Sequence, residues 1–239
     1  MSRAAVHVVI PAAGSGSRMG AALPKQYLSL AGKALADHTL ARLLTVPGIE
    51  RIQVALHPQD AHWQTLAHAS HPRIHTCAGG ASRAESVARA LAALRAAGAS
   101  AADRVLVHVM ARPCVRVADI EKLLAVTDDD GALLALPVLD TVKQETDGRA
   151  VATLDRAHVW RALTPQFFPL GLLERALAET AGDASITDEA SAMEKLGYRP
   201  QLVVGSADNI KVTLPADLAL AEFYLQQQSG QQQNGESNS

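Results

Sequence analysis

A chain of 239 residues with 48% hydrophobic side chains is long enough to bury one large α/β core or two small ones. Aromatic residues supply only 3%, so that core has to be built from Ala, Leu and Val. The formal net charge of −2 offers no general attraction to nucleic acid or to an anionic membrane, so neither is expected as a partner, and any phosphate site must be local.

The first apolar run, residues 4–10, is too short for a secretory core, and no stretch approaches the roughly 18 apolar residues that a membrane span needs. Cys77 and Cys114 lie far apart and follow no metal-ligand or disulfide spacing, so a soluble chain in a reducing cytoplasm is expected. Runs rich in Val and Ile at 4–10, 51–56, 73–77 and 104–109 read as strands buried on both faces. Between them, 33–44, 61–69 and 83–97 carry helical Ala/Leu spacing, and Ser82 with Glu85 forms a capping box at the start of the third. Strand–helix alternation of this kind predicts a doubly wound, mostly parallel α/β sheet with helices on both faces.

The second half changes character. Residues 133–138 read as a further strand, and 140–153 then turn polar, with Asp147-Gly148 as the turn of a hairpin. The hairpin belongs to an arm, about 139–165, that either projects toward a second subunit or lies on the surface near its own chain. Helices are expected at 171–180 and 188–196, strands at 201–204 and 209–213, and a last helix from Pro215 through 224. Residues 1–225 are thus expected to form one domain. From 226 to 239 the chain is Gln, Ser, Gly and Asn with little to bury, which predicts a disordered tail whose removal changes nothing. Histidines 57, 62, 68, 71 and 75 make no ligand pattern and read as solvated surface residues.

The segment 9–27, VIPAAGSGSRMGAALPKQY, carries the most chemistry. A buried strand runs into Ala12, Ala13, Gly14 and Gly16, whose small side chains let backbone amides approach phosphate oxygens. This is the carboxyl end of the first strand, where open α/β sheets bind ligands. Met19 stands where the dinucleotide fingerprint needs a third small residue, and no Gly-Lys-Ser/Thr ending makes a Walker A loop. A nicotinamide enzyme is disfavoured. What remains is a glycine loop followed by Arg18 and Lys25, a pattern suited to neutralising a triphosphate; a glycine-rich turn without any ligand stays open on composition alone.

The run PAAGSGSRMG…PKQY resembles the signature of the 2-C-methyl-D-erythritol 4-phosphate cytidylyltransferases of non-mevalonate isoprenoid synthesis. The likeness continues in order at GGASRAESV, ARPC, LDT, ALTPQFF, ITDEASAMEKLG and ADNIKVT, and covers residues 5 to 225. It implies a Rossmann-like nucleotidyltransferase fold, transfer of CMP from CTP to a small polyol phosphate, release of pyrophosphate, a magnesium ion and a homodimer. By the same resemblance Ala12, Ala13, Gly14 and Gly16 lie against the nucleotide, with Gly80 and Ser86 helping to read cytosine. Arg18 and Lys25 would hold the triphosphate and stabilise its transition state electrostatically. Arg156 and Lys211 would hold the phosphate of the nucleophile, with Thr141 and Thr164 adding hydroxyl contacts. Arg112, in the ARPC block, is open to a structural ion pair as well.

One block departs from the pattern. The family reads His-Asp-Ala-Ala-Arg-Pro where this chain has His108-Val109-Met110-Ala111-Arg112-Pro113. Val109 occupies the position of the metal-binding Asp and cannot ligate magnesium, which leaves Asp208 as the carboxylate to consider. Two alternatives therefore stand beside the main expectation. One is a cytidylyltransferase for another polyol phosphate, such as ribitol 5-phosphate; the other is a nucleotide-binding protein with impaired turnover.

Overall fold

The computed structural model describes residues 4–14 and 23–236, with side chains through Gln231. In chain order its elements are β1 (Val6–Ala12), β2 (Ser29–Leu30), β3 (Lys33–Ala34), α1 (Leu35–Thr45), β4 (Ile49–Leu56), β5 (Ile74–Ala78), α2 (Arg83–Ala96), β6 (Arg104–Val107), α3 (Val117–Leu124), β7 (Ala132–Pro137), β8 (Val142–Thr146), β9 (Arg149–Leu154), β10 (Trp160–Pro169), α4 (Leu170–Glu179), α5 (Glu189–Lys195), β11 (Gln201–Val204) and α6 (Pro215–Glu236).

Seven strands form one sheet in the order β11-β7-β10-β6-β1-β4-β5. The β1–β4, β1–β6, β4–β5 and β7–β11 pairs are parallel, while β10 runs antiparallel to both β6 and β7. Side chains alternate between the faces, as a pleated strand requires. Val8 and Ile10 of β1 and Leu106 of β6 join α1 and α3 in one core layer. Val9, Val105 and Val107 face the other way, onto α2, α4 and α5. The chain passes from β1 to β4 on one side and returns through β5 to β6 on the other, so the strand order reverses at β1. Ligands of open α/β sheets bind at such a switch point, beyond the carboxyl ends of the strands.

Three expectations need correction. Residues 61–69 hold only a three-residue 3-10 turn at Trp63–Thr65. Carboxylates capture the amides that a helix would have used: Asp60 accepts from His62 N and Trp63 N, and Asp37 of α1 accepts from Ala67 N and His68 N. Residues 209–213 form no strand, because their amides go elsewhere: Val212 N donates to Ala111 O, and Thr213 N to the Asp217 carboxylate. The tail is not disordered from 226 onward. Helix α6 continues through Glu236, and Gln228 is buried with its amide fully engaged. An additional strand, β10, holds Pro165, which cannot donate to a ladder. The register shifts between Ala162 and Gln166, and Pro165 sits inside that irregularity.

The hairpin forms as read. β8 and β9 make their own two-stranded sheet, and Asp147 (φ 51°) and Gly148 (φ 74°) both take the left-handed conformation that a type I′ turn demands. Every residue of β9 is exposed, so the hairpin has no core of its own.

Candidate active site

β1 ends at Ala12 and opens into Ala13 and Gly14, and these form one wall of a cavity of about 440 Å³. Gly80 to Arg83 and Ser86 form a second wall, where β5 hands over to α2; Val109, Met110 and Ala111 form a third, after β6. Lys25 and Gln26 close it from the short turn after the glycine loop, and Lys211 and Thr213 from the segment before α6. The structure therefore brings together Ala12, Ala13, Gly14, Lys25, Gly80, Ser86 and Lys211, seven of the residues selected from sequence. Gly16 and Arg18 lie outside the described residues.

The Gly79-Gly80 pair is fixed by close approach. A Cβ on Gly79 would stand 2.4 Å from the Ala13 Cβ, and one on Gly80 would stand 2.3 Å from the Glu85 side chain. Ser86 Oγ accepts from Gly80 N (3.0 Å) and donates to Ser82 O (2.8 Å), so its hydroxyl shapes the loop around the cavity. Ser82 caps α2 by accepting from Glu85 N, and the Glu85 carboxylate reaches back to Ala81 N (2.7 Å) and sideways to Arg89. These bonds draw the Glu85 carboxyl below its ordinary range.

Arg83 was missed in the sequence reading. A cation in the first turn of a helix opposes the helix dipole and needs a compensating anion; its place directly after the Ser82 cap is the signal. Arg83 pairs with the buried Glu189 of α5 at 2.5 Å, while still lining the cavity. Gln26 was also missed. It is buried and donates to Ala12 O (3.3 Å), which seats the Lys25 turn beneath the end of β1.

Behind the third wall lies a polar chain. His108 is fully buried, and its Nε2 donates to Arg112 O (3.3 Å), which leaves Nδ1 to accept from the Thr164 hydroxyl (2.9 Å). Burial, reinforced by the Arg112 charge, lowers its pKa to about 3, so the ring is neutral. Asn209 Nδ2 donates to Thr164 O (2.9 Å), and Arg112 donates to Asn209 O. Arg112 has no carboxylate in this chain of contacts, and burial with Arg83 and Arg161 nearby brings its pKa down to about 10. Thr164 thus serves the framework and does not line the cavity.

Thr141 and Arg156 do not line it either. Both are exposed at the arm, where Arg156 donates to Leu139 O. Asp208 is also absent from the lining. Its carboxylate is buried outside the cavity, with Oδ2 accepting from Arg116 (2.7 Å) and Gln228 (2.8 Å), so it does not present the metal-binding oxygen to the cavity that the sequence suggested.

A cavity at the sheet's switch point, walled by Ala13 and Gly14 at the end of β1 and lined by cations, now stands beside the sequence blocks. The family model for 2-C-methyl-D-erythritol 4-phosphate cytidylyltransferase matches residues 6–227. The chain belongs to this family. A 2-C-methyl-D-erythritol 4-phosphate cytidylyltransferase of Haemophilus ducreyi is 50% identical over 218 residues, which span 91% of this chain and 94% of that protein. One from Aeromonas hydrophila is 51% identical over 233 residues, spanning 96% and 93%. Among solved structures, a 4-diphosphocytidyl-2C-methyl-D-erythritol synthase superposes with a TM-score of 0.83 at 36% identity, covering 94% of this chain and all of that one. The Francisella tularensis cytidylyltransferase gives 0.79 at 36% identity, covering 92% and 99%. The Rossmann-like nucleotidyltransferase fold and the transferase class follow from these likenesses.

Family membership implies a divalent metal, and the donor set of the cavity can be tested against it. None of the lining residues is Asp or Glu, and Val109 occupies the wall at the end of β6. The glycine loop cannot supply a carboxylate either, since the first acidic residue of the chain is Asp37. Among the described residues no group of three or more His, Cys, Asp or Glu side chains is placed to hold a metal ion. Magnesium prefers carboxylate and phosphate oxygens, so these residues do not fit a protein-held ion. No helix among the described residues is long and apolar enough to cross a membrane.

Proposed function

We propose that this chain transfers CMP from CTP to 2-C-methyl-D-erythritol 4-phosphate and releases pyrophosphate. The observation that carries the reading is the convergence of Lys25, Arg83 and Lys211 with the Gly14 and Gly80 backbone on one cavity, in a chain of this family. A phosphate oxygen of the polyol attacks the α-phosphorus of CTP; the new P–O bond forms as the bond to the pyrophosphate oxygen breaks. Negative charge crowds the five-coordinate centre, and preorganised cations lower its energy because they need no reorientation as the charge develops. Lys25 and Arg18 take the triphosphate side and Lys211 the incoming phosphate. The Gly79–Ser86 turn offers backbone groups at fixed positions for the base, where a pyrimidine lacking the cytosine amino group would leave a partner unpaired.

Thr141 and Arg156 join the site from the arm of a second copy. The arm exposes Leu139 (79%), Val151 (57%) and Leu154 (42%), apolar surface that a homodimer would cover. Both cysteines are free thiols, in keeping with a cytoplasmic setting.

A second reading, a nucleotide-binding protein with impaired turnover, is favoured by the carboxylate-free lining at Val109. One assay separates the readings: pyrophosphate release from CTP with magnesium, run with 2-C-methyl-D-erythritol 4-phosphate and with ribitol 5-phosphate. Faster release with the methylerythritol substrate supports the main reading, and faster release with ribitol 5-phosphate shifts the substrate. CTP binding without release supports the second reading. In that case Val109→Asp with Met110→Ala is expected to raise magnesium-dependent turnover by on the order of a hundredfold or more. No gain would place the lesion elsewhere.

A further inference from the structure

Helix α6 reaches beyond the end of the family match at residue 227, and the first residue past that end is the buried Gln228. Its side chain has one acceptor and two donor hydrogens, and all are engaged. Oε1 accepts from Arg42 Nη2 of α1 (2.7 Å). Nε2 donates to Cys114 O (2.9 Å) and to Asp208 Oδ2 (2.8 Å). The orientation of the amide is unambiguous, since a guanidinium faces one end and two acceptors face the other.

The two acceptors lie outside the cavity, on the segments that supply two of its walls. Cys114 ends the turn that begins at Val109, and Asp208 begins the segment that delivers Lys211 and Thr213. Neither stretch is a helix or strand, so side chains must hold it. Asp208 Oδ2 gathers Arg116 Nε (2.9 Å), Arg116 Nη2 (2.7 Å) and Gln228 Nε2, whereas its Oδ1 is buried without a partner. Beyond this point Val212 N donates to Ala111 O (2.7 Å), which ties the two walls together again beside the cavity. A shift at Asp208 is therefore passed to Lys211 along three residues of chain.

We infer that Gln228 is a positioning residue: by bridging Cys114 and Asp208 it sets the spacing between the Val109–Cys114 turn and the Lys211 segment, and so the geometry of the cavity. This rests on the cytidylyl-transfer reading of that cavity for its kinetic consequence, but not for its structural one. Displacement of a binding group by about 1 Å can cost on the order of a hundredfold in rate, and one lost clasp of two justifies a smaller effect.

The test uses the full chain with Gln228→Leu, Gln228→Glu and the double variant Gln228→Glu/Asp208→Asn. Gln228→Leu deletes both donors, and Gln228→Glu sets two carboxylates against each other. The double variant restores a donor–acceptor pair with its polarity reversed. Each single variant is expected to lower kcat/KM for the polyol phosphate by on the order of tenfold, chiefly through KM, and the double variant, which restores the contact to position 208 but not that to Cys114 O, is expected to recover part of the Gln228→Glu loss. Gln227→Ala, on the exposed side of the same helix, is expected to leave kinetics unchanged. Values within twofold of wild type for both single variants would overturn the inference. So would a loss confined to kcat in proportion to the unfolded fraction, which marks a merely structural role. If the wild-type chain has no turnover, the transfer reading fails by itself, and amide hydrogen exchange decides. Faster exchange at Ile210 and Val212 in Gln228→Leu supports the clasp, and unchanged exchange overturns it.

Discussion

The cavity wall at the end of β1 and the β8–β9 arm carry residues selected by the same sequence reasoning, yet they are built in opposite ways. Ala12, Gly80 and Ser86 hang from strand ends and a helix start whose other side chains lie in the core, so their positions follow from packing. Thr141 and Arg156 flank a two-stranded hairpin with a fully exposed β9 and no core, Thr141 just before β8 and Arg156 in the short 3-10 turn after β9. An isolated hairpin of this kind is marginally stable. The cavity half is lined from one chain as far as it is described, whereas in the proposed dimer the arm half would gain its position by docking. Binding of the nucleotide and binding of the second substrate should accordingly respond to different perturbations.

Substitutions in the two regions are the sharpest way to break that contrast. Lys25→Ala removes a cation from the cavity and should lower turnover by about 3 kcal/mol, on the order of a hundredfold, with weaker CTP binding. Arg156→Ala should leave CTP binding intact and raise KM for the polyol phosphate by roughly tenfold, the scale of one charge-assisted contact. Steady-state kinetics with each substrate varied in turn, alongside calorimetric CTP titrations, reads both effects. Equal changes for the two substrates in both variants would erase the distinction.

A smaller effect tests the framework behind the cavity. His108 is neutral in the fold with a pKa near 3, against an ordinary value of 6.5 once exposed. Between those values the unfolded chain binds one more proton, so stability is full above about pH 6.5 and declines as pH falls toward 3. From pH 7 to pH 5 this single ring should cost about 2 kcal/mol. Urea unfolding at both pH values should show that slope in the wild-type chain and a shallower one in His108→Asn. Identical slopes would remove His108 as its source.

Much of this contrast was legible in the sequence, and the misses have physical causes. The strands β1, β4, β5 and β6 and the helices α1 and α2 announce themselves because two-sided burial leaves long runs of Val, Ile, Leu and Ala. The glycine loop and the Gly79-Gly80 pair show because only small residues tolerate such close approach. By contrast, β10 carries Pro165 in mid-strand and could be recognised only once its neighbours and its irregular register were known. The 61–69 segment carries a helical pattern, but Asp37, 30 residues away in sequence, takes its amides at Ala67. Helix α6 is polar along its last turns, and its anchors at Gln228 are long-range hydrogen bonds that composition does not reveal. Asp208 looked available for a metal for the same reason: its partners, Arg116 and Gln228, are distant in sequence.

The division of the site between a self-contained cavity and a docked arm can be tested by complementation. Lys25→Ala spoils the cavity of its own chain and leaves the arm sound, while Arg156→Ala does the reverse. Each variant alone should be nearly inactive at low polyol phosphate. Mixed and allowed to exchange subunits, half of the dimers are hybrids, and each hybrid holds one intact site of two, so roughly a quarter of wild-type turnover should return. Recovery to that level in a pyrophosphate-release assay is the predicted result. No recovery, in a mixture shown by sedimentation to contain dimers, would contradict the account by placing cavity and arm residues of one site in the same chain.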